Sequence, residues 1–333
     1  MKNMKKIIAV LLGISVMCAG LVGCSSGKKA DKAAKSASAG DKATKAWKPS
    51  KTITIDVAFA PGGDTDYNAR MYADKLGKIL GTSVIVTNVT GSGGATASGE
   101  VKGAKPDGYT VLFTHTSFFL NQVAGITNYG LEAFDFANIA GRSAGWAIVA
   151  PKNLGIKSLK EMVEKSKTER IVLGGSTGAT GSMVGEQLNK LGAKFNVVDY
   201  GSATDKVAGL KSGDIQVTVV PILTAMPYVK SGDFIVLGLA EKERNKAFPD
   251  IPTCAEQGFN VAAPTYYFFA FPKGTPKEVI DTFNNACEQV YKSKEYQDKL
   301  IKSYSQTPFF QKGADGVKLL DDFAKSATEA FKK

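Results

Sequence analysis

Four times in this chain an apolar, strand-like run breaks into a turn rich in glycine and hydroxyl side chains and leads into a helix-like pattern. The turns fall at 61–66, 91–94, 175–182 and 200–202. Alternation of strands and helices through such turns confines a chain to α/β architecture. Open sheets of this kind take ligands beyond the carboxyl ends of their strands. Four turns drawn from two blocks of sequence converge naturally on one cleft between two domains.

The first turn shows the chemistry. Ile53-Thr54-Ile55-Asp56-Val57 alternates as a strand, and Pro61-Gly62-Gly63 forces a turn. Thr65 or Asp66 is placed to N-cap a helix over about 66–80. A strand that turns through glycines into a helix aims several free N–H groups at one spot, and the helix dipole makes that spot favourable for an anion. The same residues also fit a tight connection without a ligand.

The rest of the chain repeats the scheme. Strands are expected at 83–88, 109–114, 134–140 and 145–150, with a small-residue helix at 94–103 and the turn Pro106-Asp107-Gly108. In the second block Ser158 caps a helix to about 167, and strand 170–174 opens into Gly174 to Ser182. Strands at 195–198, 215–220 and 234–240 alternate with helices at 203–212 and 222–230. Tyr266-Tyr267-Phe268-Phe269 begins a buried strand, and helices follow at about 276–292, 295–303 and 314–330.

The amino-terminal end sets the compartment. Lys2, Lys5 and Lys6 precede an apolar run, Ile7 to Val22, that is too short to span a bilayer, which needs about 20 apolar residues. This is a secretory signal pattern. Leu21-Val22-Gly23-Cys24 resembles a bacterial lipobox, which implies cleavage before Cys24 and lipid attachment to its thiol; the alternative is an ordinary signal in which Cys24 is incidental. Residues 25–51 are mostly Lys, Ala, Ser and Gly and read as a flexible tether. Most of the net charge of +11 lies in these two segments, so the folded part is close to neutral. The basic pI therefore points to an anionic membrane surface beside the tether, and not to nucleic acid.

Several chemistries lack residues. The chain has one His, His115, and no Cys-x-x-Cys, so a transition-metal site has no support. No Walker motif or dinucleotide fingerprint occurs, and no cofactor is implied. Asp64 and Asp66, two apart around a turn, suit capping better than acid–base catalysis. Gly174-Gly175-Ser176-Thr177-Gly178 satisfies a nucleophile-elbow pattern formally, which leaves a tethered hydrolase using Ser176 and His115 as a minor reading. Cys254 and Cys287 can be bridged or free; the apolar face around Cys287 favours a buried thiol there.

Taken together, these motifs resemble the extracytoplasmic receptors of tripartite tricarboxylate transporters, the Bug-type receptors, over essentially all of 52–330. The resemblance rests on Pro61-Gly62-Gly63 with Asp66 and Arg70, on Gly91 to Gly94, and on Ala104-Lys105-Pro106-Asp107-Gly108-Tyr109-Thr110. Further on it rests on Tyr200-Gly201 with Asp205 and Gly213-Asp214, on Pro249-Asp250-Ile251-Pro252-Thr253 with Glu256 and Gly258, and on Pro272-Lys273-Gly274-Thr275-Pro276.

The resemblance implies a two-domain type II periplasmic-binding-protein fold, with crossing segments at about 146–151 and 264–271. It implies a signal peptide at 1–23, a lipid-anchored linker at 24–51, one domain from 52–148 plus 268–333 and another from 149–267. It implies a non-enzymatic, membrane-tethered receptor that delivers a small organic carboxylate to a membrane permease; a receptor serving an ABC importer or sensor kinase would share the fold. Ligand contacts are expected from Phe59, Ala60, Gly62, Gly63, Asp64, Thr65 and Asp66, and from His115, Thr116 and Ser117. The second domain is expected to add Ser176, Thr177, Thr180, Ser182, Tyr200, Gly201, Ser202 and Pro221. Gly62, Gly63 and Thr65 would donate to the carboxylate while Asp66 braces the turn. Asp64, His115 and Phe268 depart from the small residues common at those places in the family. An Asp64 facing the cleft would repel a second carboxylate and favour an amine or hydroxyl.

Overall fold

The computed structural model describes residues 47–176, 179–304 and 306–332. The signal peptide, Cys24, most of the tether and Thr177 lie outside the described residues. The chain begins with β1 (Ile53–Val57), α1 (Asp64–Leu80), β2 (Val84–Asn88), α2 (Ala95–Lys102), β3 (Thr110–His115), α3 (Ser117–Val123) and β4 (Phe134–Arg142). It crosses at 143–145 into β5 (Trp146–Pro151), α4 (Leu159–Thr168), β6 (Ile171–Gly175), α5 (Thr180–Lys190) and β7 (Phe195–Asp199). Then come α6 (Ala203–Ser212), β8 (Val217–Pro221), α7 (Ile222–Ser231) and β9 (Phe234–Leu239). It returns as β10 (Tyr266–Pro272), followed by α8 (Lys277–Lys292), α9 (Lys294–Tyr304), β11 (Gln311–Lys312) and α10 (Gly313–Phe331).

Two sheets result. The first has the order β11-β4-β10-β3-β1-β2 and the second β7-β6-β8-β5-β9. β1 runs parallel to β2 and β3, and β10 enters antiparallel between β3 and β4. In the second sheet β6 lies parallel to β7 and β8, and β5 is the antiparallel arrival. Each sheet thus receives one antiparallel strand from the crossing chain, which makes the molecule two-lobed.

Burial follows the expected periods. Ile53, Ile55 and Val57 on β1 are fully buried, as are Ala69, Tyr72 and Leu76 on one face of α1. α1 ends at Gly81, whose φ of 67° lies in the left-handed region that glycine enters without a Cβ clash. β10 sits between two strands with both faces covered, so all seven residues are buried. Each fully buried Phe there contributes about 2 kcal/mol of apolar transfer. Leu320, Phe323, Ala327 and Ala330 form the buried stripe of α10, which packs on α3 of the first lobe and α5 of the second. One hydrophobic cluster therefore runs through both lobes, from Leu112 and Phe268 to Leu173, Met183 and Phe323.

Some expectations need correction. α1 starts at Asp64, with Gly63 as N-cap and no side-chain cap, so neither Thr65 nor Asp66 caps it. α3 and β11 were not foreseen; Phe118-Phe119-Leu120 reads as a continuous apolar run after a strand and shows no period. The end of the presumed tether is docked: Trp47 packs edge-on against Tyr109 at 5.5 Å, and Lys51 pairs with Asp107 at 3.2 Å. One indole supplies the apolar surface that the composition of the segment otherwise lacks. Ser158 does cap α4, accepting from Glu161 N at 3.1 Å.

Candidate functional site

A cavity of about 510 Å³ opens between the sheets and is lined from both lobes. The first lobe contributes Phe59, Asp64, Ser92, Gly93, His115, Ser117, Asn121 and Ile126. The second contributes Ala179, Thr180 and Pro221, and the crossing segments contribute Ser143, Trp146, Thr265 and Tyr267. A side chamber of about 230 Å³ shares Asp64, Ser143 and Pro221 and adds Gln306 among others.

The crossing segments form the floor because they are tied together. Ser143 N donates to Thr265 O at 3.0 Å, and Trp146 Nε1 donates to Thr265 Oγ1 at 2.8 Å. Beside them Arg142, at the end of β4, pairs with Glu241, just past β9. Burial raises the Glu241 pKa against the opposing pull of Arg142.

Asp64 faces the cavity. Tyr267 Oη donates to its Oδ2 at 2.5 Å, and Thr65 N donates to its Oδ1 at 2.8 Å. Tyr267 is fully buried, and burial together with the Asp64 carboxylate holds its pKa far above the ordinary phenol value. His115 stacks on Phe59 with ring centroids 4.2 Å apart. Its Nδ1 accepts from Ser117 N at 3.2 Å, which leaves Nε2 as the protonated nitrogen of a neutral ring. Burial lowers the imidazole pKa to about 4, against the pull of Asp64, so the ring is uncharged at neutral pH.

The first-turn glycines do not stand as expected. Gly62 N donates to Asp66 Oδ2 at 3.0 Å, so the turn's own carboxylate takes this N–H. Asp66 also accepts from Arg70 Nε at 3.0 Å and Asn88 Nδ2 at 2.8 Å. Burial opposes its charge, but these partners outweigh burial and hold its pKa below the usual carboxylate range. Asp66 therefore braces the turn, while Ala60, Gly62 and Gly63 are exposed and Thr65 lies buried behind Asp64.

In the second lobe the hydroxyl residues divide. Thr180 and Pro221 reach the cavity. Ser176 Oγ donates to Gly201 O at 2.7 Å, and Ser182 Oγ donates to Ser176 O at 2.7 Å, so both hold loops together. Tyr200 donates to Asp214 at 2.9 Å and lies over Gly209, and Ser202 caps α6 in a capping box with Asp205. Gly201 and Ser202 are exposed, and Thr116 Oγ1 donates to Pro264 O at 3.2 Å. Of the expected contacts, Phe59, Asp64, His115, Ser117, Thr180 and Pro221 line the cavity, and the other described ones do not. Of the lining residues that sequence reasoning missed, Ser143, Trp146, Thr265 and Tyr267 lie on the crossing segments, which must floor any cleft between two lobes, and Ser92, Gly93, Asn121, Ile126 and Ala179 come from the lobes themselves.

The electrostatics are lopsided. The N-cap of α5 is Ala179, which has no polar side chain to cap the first-turn N–H groups. Lys206 is 6% exposed and puts its Nζ 3.8 Å from where a Cβ on Gly181 would stand. Burial lowers its pKa while Asp199 opposes. The second-lobe wall thus presents the start of a helix, which favours an anion, and the first-lobe wall carries Asp64. Among the described residues no cluster of His, Cys, Asp or Glu is arranged to hold a metal.

Two α/β lobes, two crossing segments and a lined cleft between them define a solute-binding protein. The chain belongs to the tripartite tricarboxylate transporter family receptors, whose description matches residues 68–332. BugT of Bordetella pertussis is 28% identical over 257 residues, 74% of this chain and 78% of that protein. A TctC solute-binding protein from Polaromonas has the same fold, with a TM-score of 0.72 at 24% identity over 85% of this chain and 97% of that one. MatC from Rhodopseudomonas palustris, solved with bound malate, gives a TM-score of 0.69 at 22% identity over 85% of this chain and all of that one. The Polaromonas protein is a solute-binding protein, and the family is one of receptors and not of enzymes.

Proposed function

We propose that the chain is a membrane-tethered receptor that closes on a small organic carboxylate and delivers it to a tripartite tricarboxylate-type permease. The observation that carries this reading is the cavity shared by both lobes, with the start of α5 on one wall and the buried Lys206 close to Gly181 in that helix's first turn. Helix-start N–H groups and a nearby ammonium favour a carboxylate once closure removes water. The bound malate of MatC is consistent with this ligand class. A ligand touching both lobes stabilises the closed form in proportion to its preference for it.

Tethering rests on the Leu21-Val22-Gly23-Cys24 pattern. Cys24→Ser should release the protein from membranes, and continued membrane association would reject the anchor. For the ligand, the experiment is a thermal-shift screen of mono-, di- and tricarboxylates, because binding the native state alone raises stability. A rise with a carboxylate is expected. Rises only with sugars or peptides would reject the class. Capture of the permease subunits by the tethered receptor tests the delivery step.

A further inference from the structure

We propose that the ligand is a zwitterion: a carboxylate whose skeleton also carries an ammonium group, held at Asp64 and Gln306 where the main cavity meets its side chamber. The inference rests on the carboxylate reading of the cleft and adds the second charge.

Asp64 lines both chambers. No described residue lining either chamber is Lys or Arg. Its hydrogen-bond partners, Tyr267 Oη, Thr65 N and Thr65 Oγ1, are all neutral. A carboxylate enclosed by lobe closure without a cation is unfavourable. A second ligand carboxylate would worsen this, and a hydroxyl would leave the charge unbalanced. An ammonium balances it.

The surroundings suit such a group. Phe59, Trp146 and Tyr267 line the main cavity, and aromatic faces attract organic cations, quaternary ammonium included. Gln306 supplies the independent observation. It is 2% exposed, lines the side chamber, and has no hydrogen-bond partner at either Oε1 or Nε2. A buried side-chain amide left unpaired at both ends is costly in a folded protein. It has one acceptor and two donors to offer. An ammonium donates to Oε1 and a carboxylate accepts from Nε2, so a zwitterion satisfies both ends. Ser117 Oγ, also without a partner, faces the main cavity and can donate to the same carboxylate.

The test is calorimetric titration of the full chain in detergent with matched pairs. These are glycine betaine against 3,3-dimethylbutanoate, 4-aminobutyrate against butyrate, and glutamate against glutarate. In at least one pair the ammonium-bearing member should bind roughly tenfold to a hundredfold more tightly. Asp64→Asn should level that pair, the ammonium-bearing member losing about tenfold and its partner gaining. Gln306→Leu removes the unpaired amide; it should weaken the zwitterion about tenfold and raise the melting temperature of the unliganded protein. Circular dichroism of both variants checks that they fold. If the carboxylates without nitrogen bind as well or better, the inference falls and the carboxylate receptor stands. If tetramethylammonium binds as tightly as the zwitterions, the site is one for plain cations and the carboxylate reading falls. If none of the probes binds, both fall. If Gln306→Leu lowers the melting temperature and spares binding, the amide is structural and the inference loses its second contact.

Discussion

Arg142 closes the end of β4, and its guanidinium donates to Glu241, two residues past β9, so one ion pair joins the end of the first sheet to the end of the second. Glu241 is 3% exposed, and Gly145, at a φ of 103°, packs directly against its carboxylate. The pair stands beside both crossings.

Removing one partner of a buried pair leaves the other charge stranded. Arg142→Ala should therefore cost about 3 kcal/mol. Glu241→Gln, which keeps the shape and drops the charge, should cost less. Urea unfolding of the two variants checks the order, and equal losses would mean that packing, not charge, holds the site.

His115 and half-buried Asp56 set opposing pH dependences. Burial lowers the His115 pKa from 6.5 to about 4. Between those values the unfolded chain binds the extra proton, so stability from this group is full above 6.5 and declines as pH falls toward 4. Burial and the nearby Glu100 raise the Asp56 pKa from 3.8 to about 6. There the folded chain holds the proton, so stability from this group is full below 3.8 and is lost as pH rises through 6. The two trends offset one another across the shared window. Asp56→Asn should unmask a stability that climbs with pH between about 4 and 6, read as melting temperature against pH.

Tyr200 tests structure against binding. A Cβ on Gly209 would meet the Tyr200 ring at 2.3 Å. Gly209→Ala should cost about 1–3 kcal/mol from the clash. Because Tyr200 does not line the cavity, Tyr200→Phe should leave ligand affinity within about twofold while losing the solvent-exposed Asp214 hydrogen bond, with little change in stability. Chemical unfolding and titration read the two effects separately.

Cys254 and Cys287 are both free and buried. Burial pushes the Cys254 thiol up to about 12 and the Cys287 thiol higher still. Thiolate is the reactive form. Iodoacetamide at pH 8 should label neither cysteine in the native protein and both in denaturant, as intact mass will show.

How much of this was legible in the sequence depended on the kind of contact. Ile53, Ile55 and Val57 announce β1 by their period, and Ser158 announces α4 by its cap, because both are local signals. Asp64 could be singled out, but its partner Tyr267 lies 203 residues away and only the fold brings them together. Gln306 carries no local pattern at all, since its meaning is the absence of a partner in three dimensions. The glycine turns misled in part. Their strand-turn-helix form is real, but Asp66 fills the N–H of Gly62 from within.

α10 has a consequence for how the two lobes are held. Lys190 donates to the carbonyls of Glu329 and Lys332, and Gln187 donates to Ser326 at 2.8 Å, so the final turn of the chain is fastened to the second lobe. β1, β2 and β3 pair among themselves, but β4 joins their sheet only through β10, and α5 keeps an apolar face bare unless α10 packs on it. Without α10, apolar faces of α3 in one lobe and α5 in the other would be bared together, so one helix answers for the apolar cover of both.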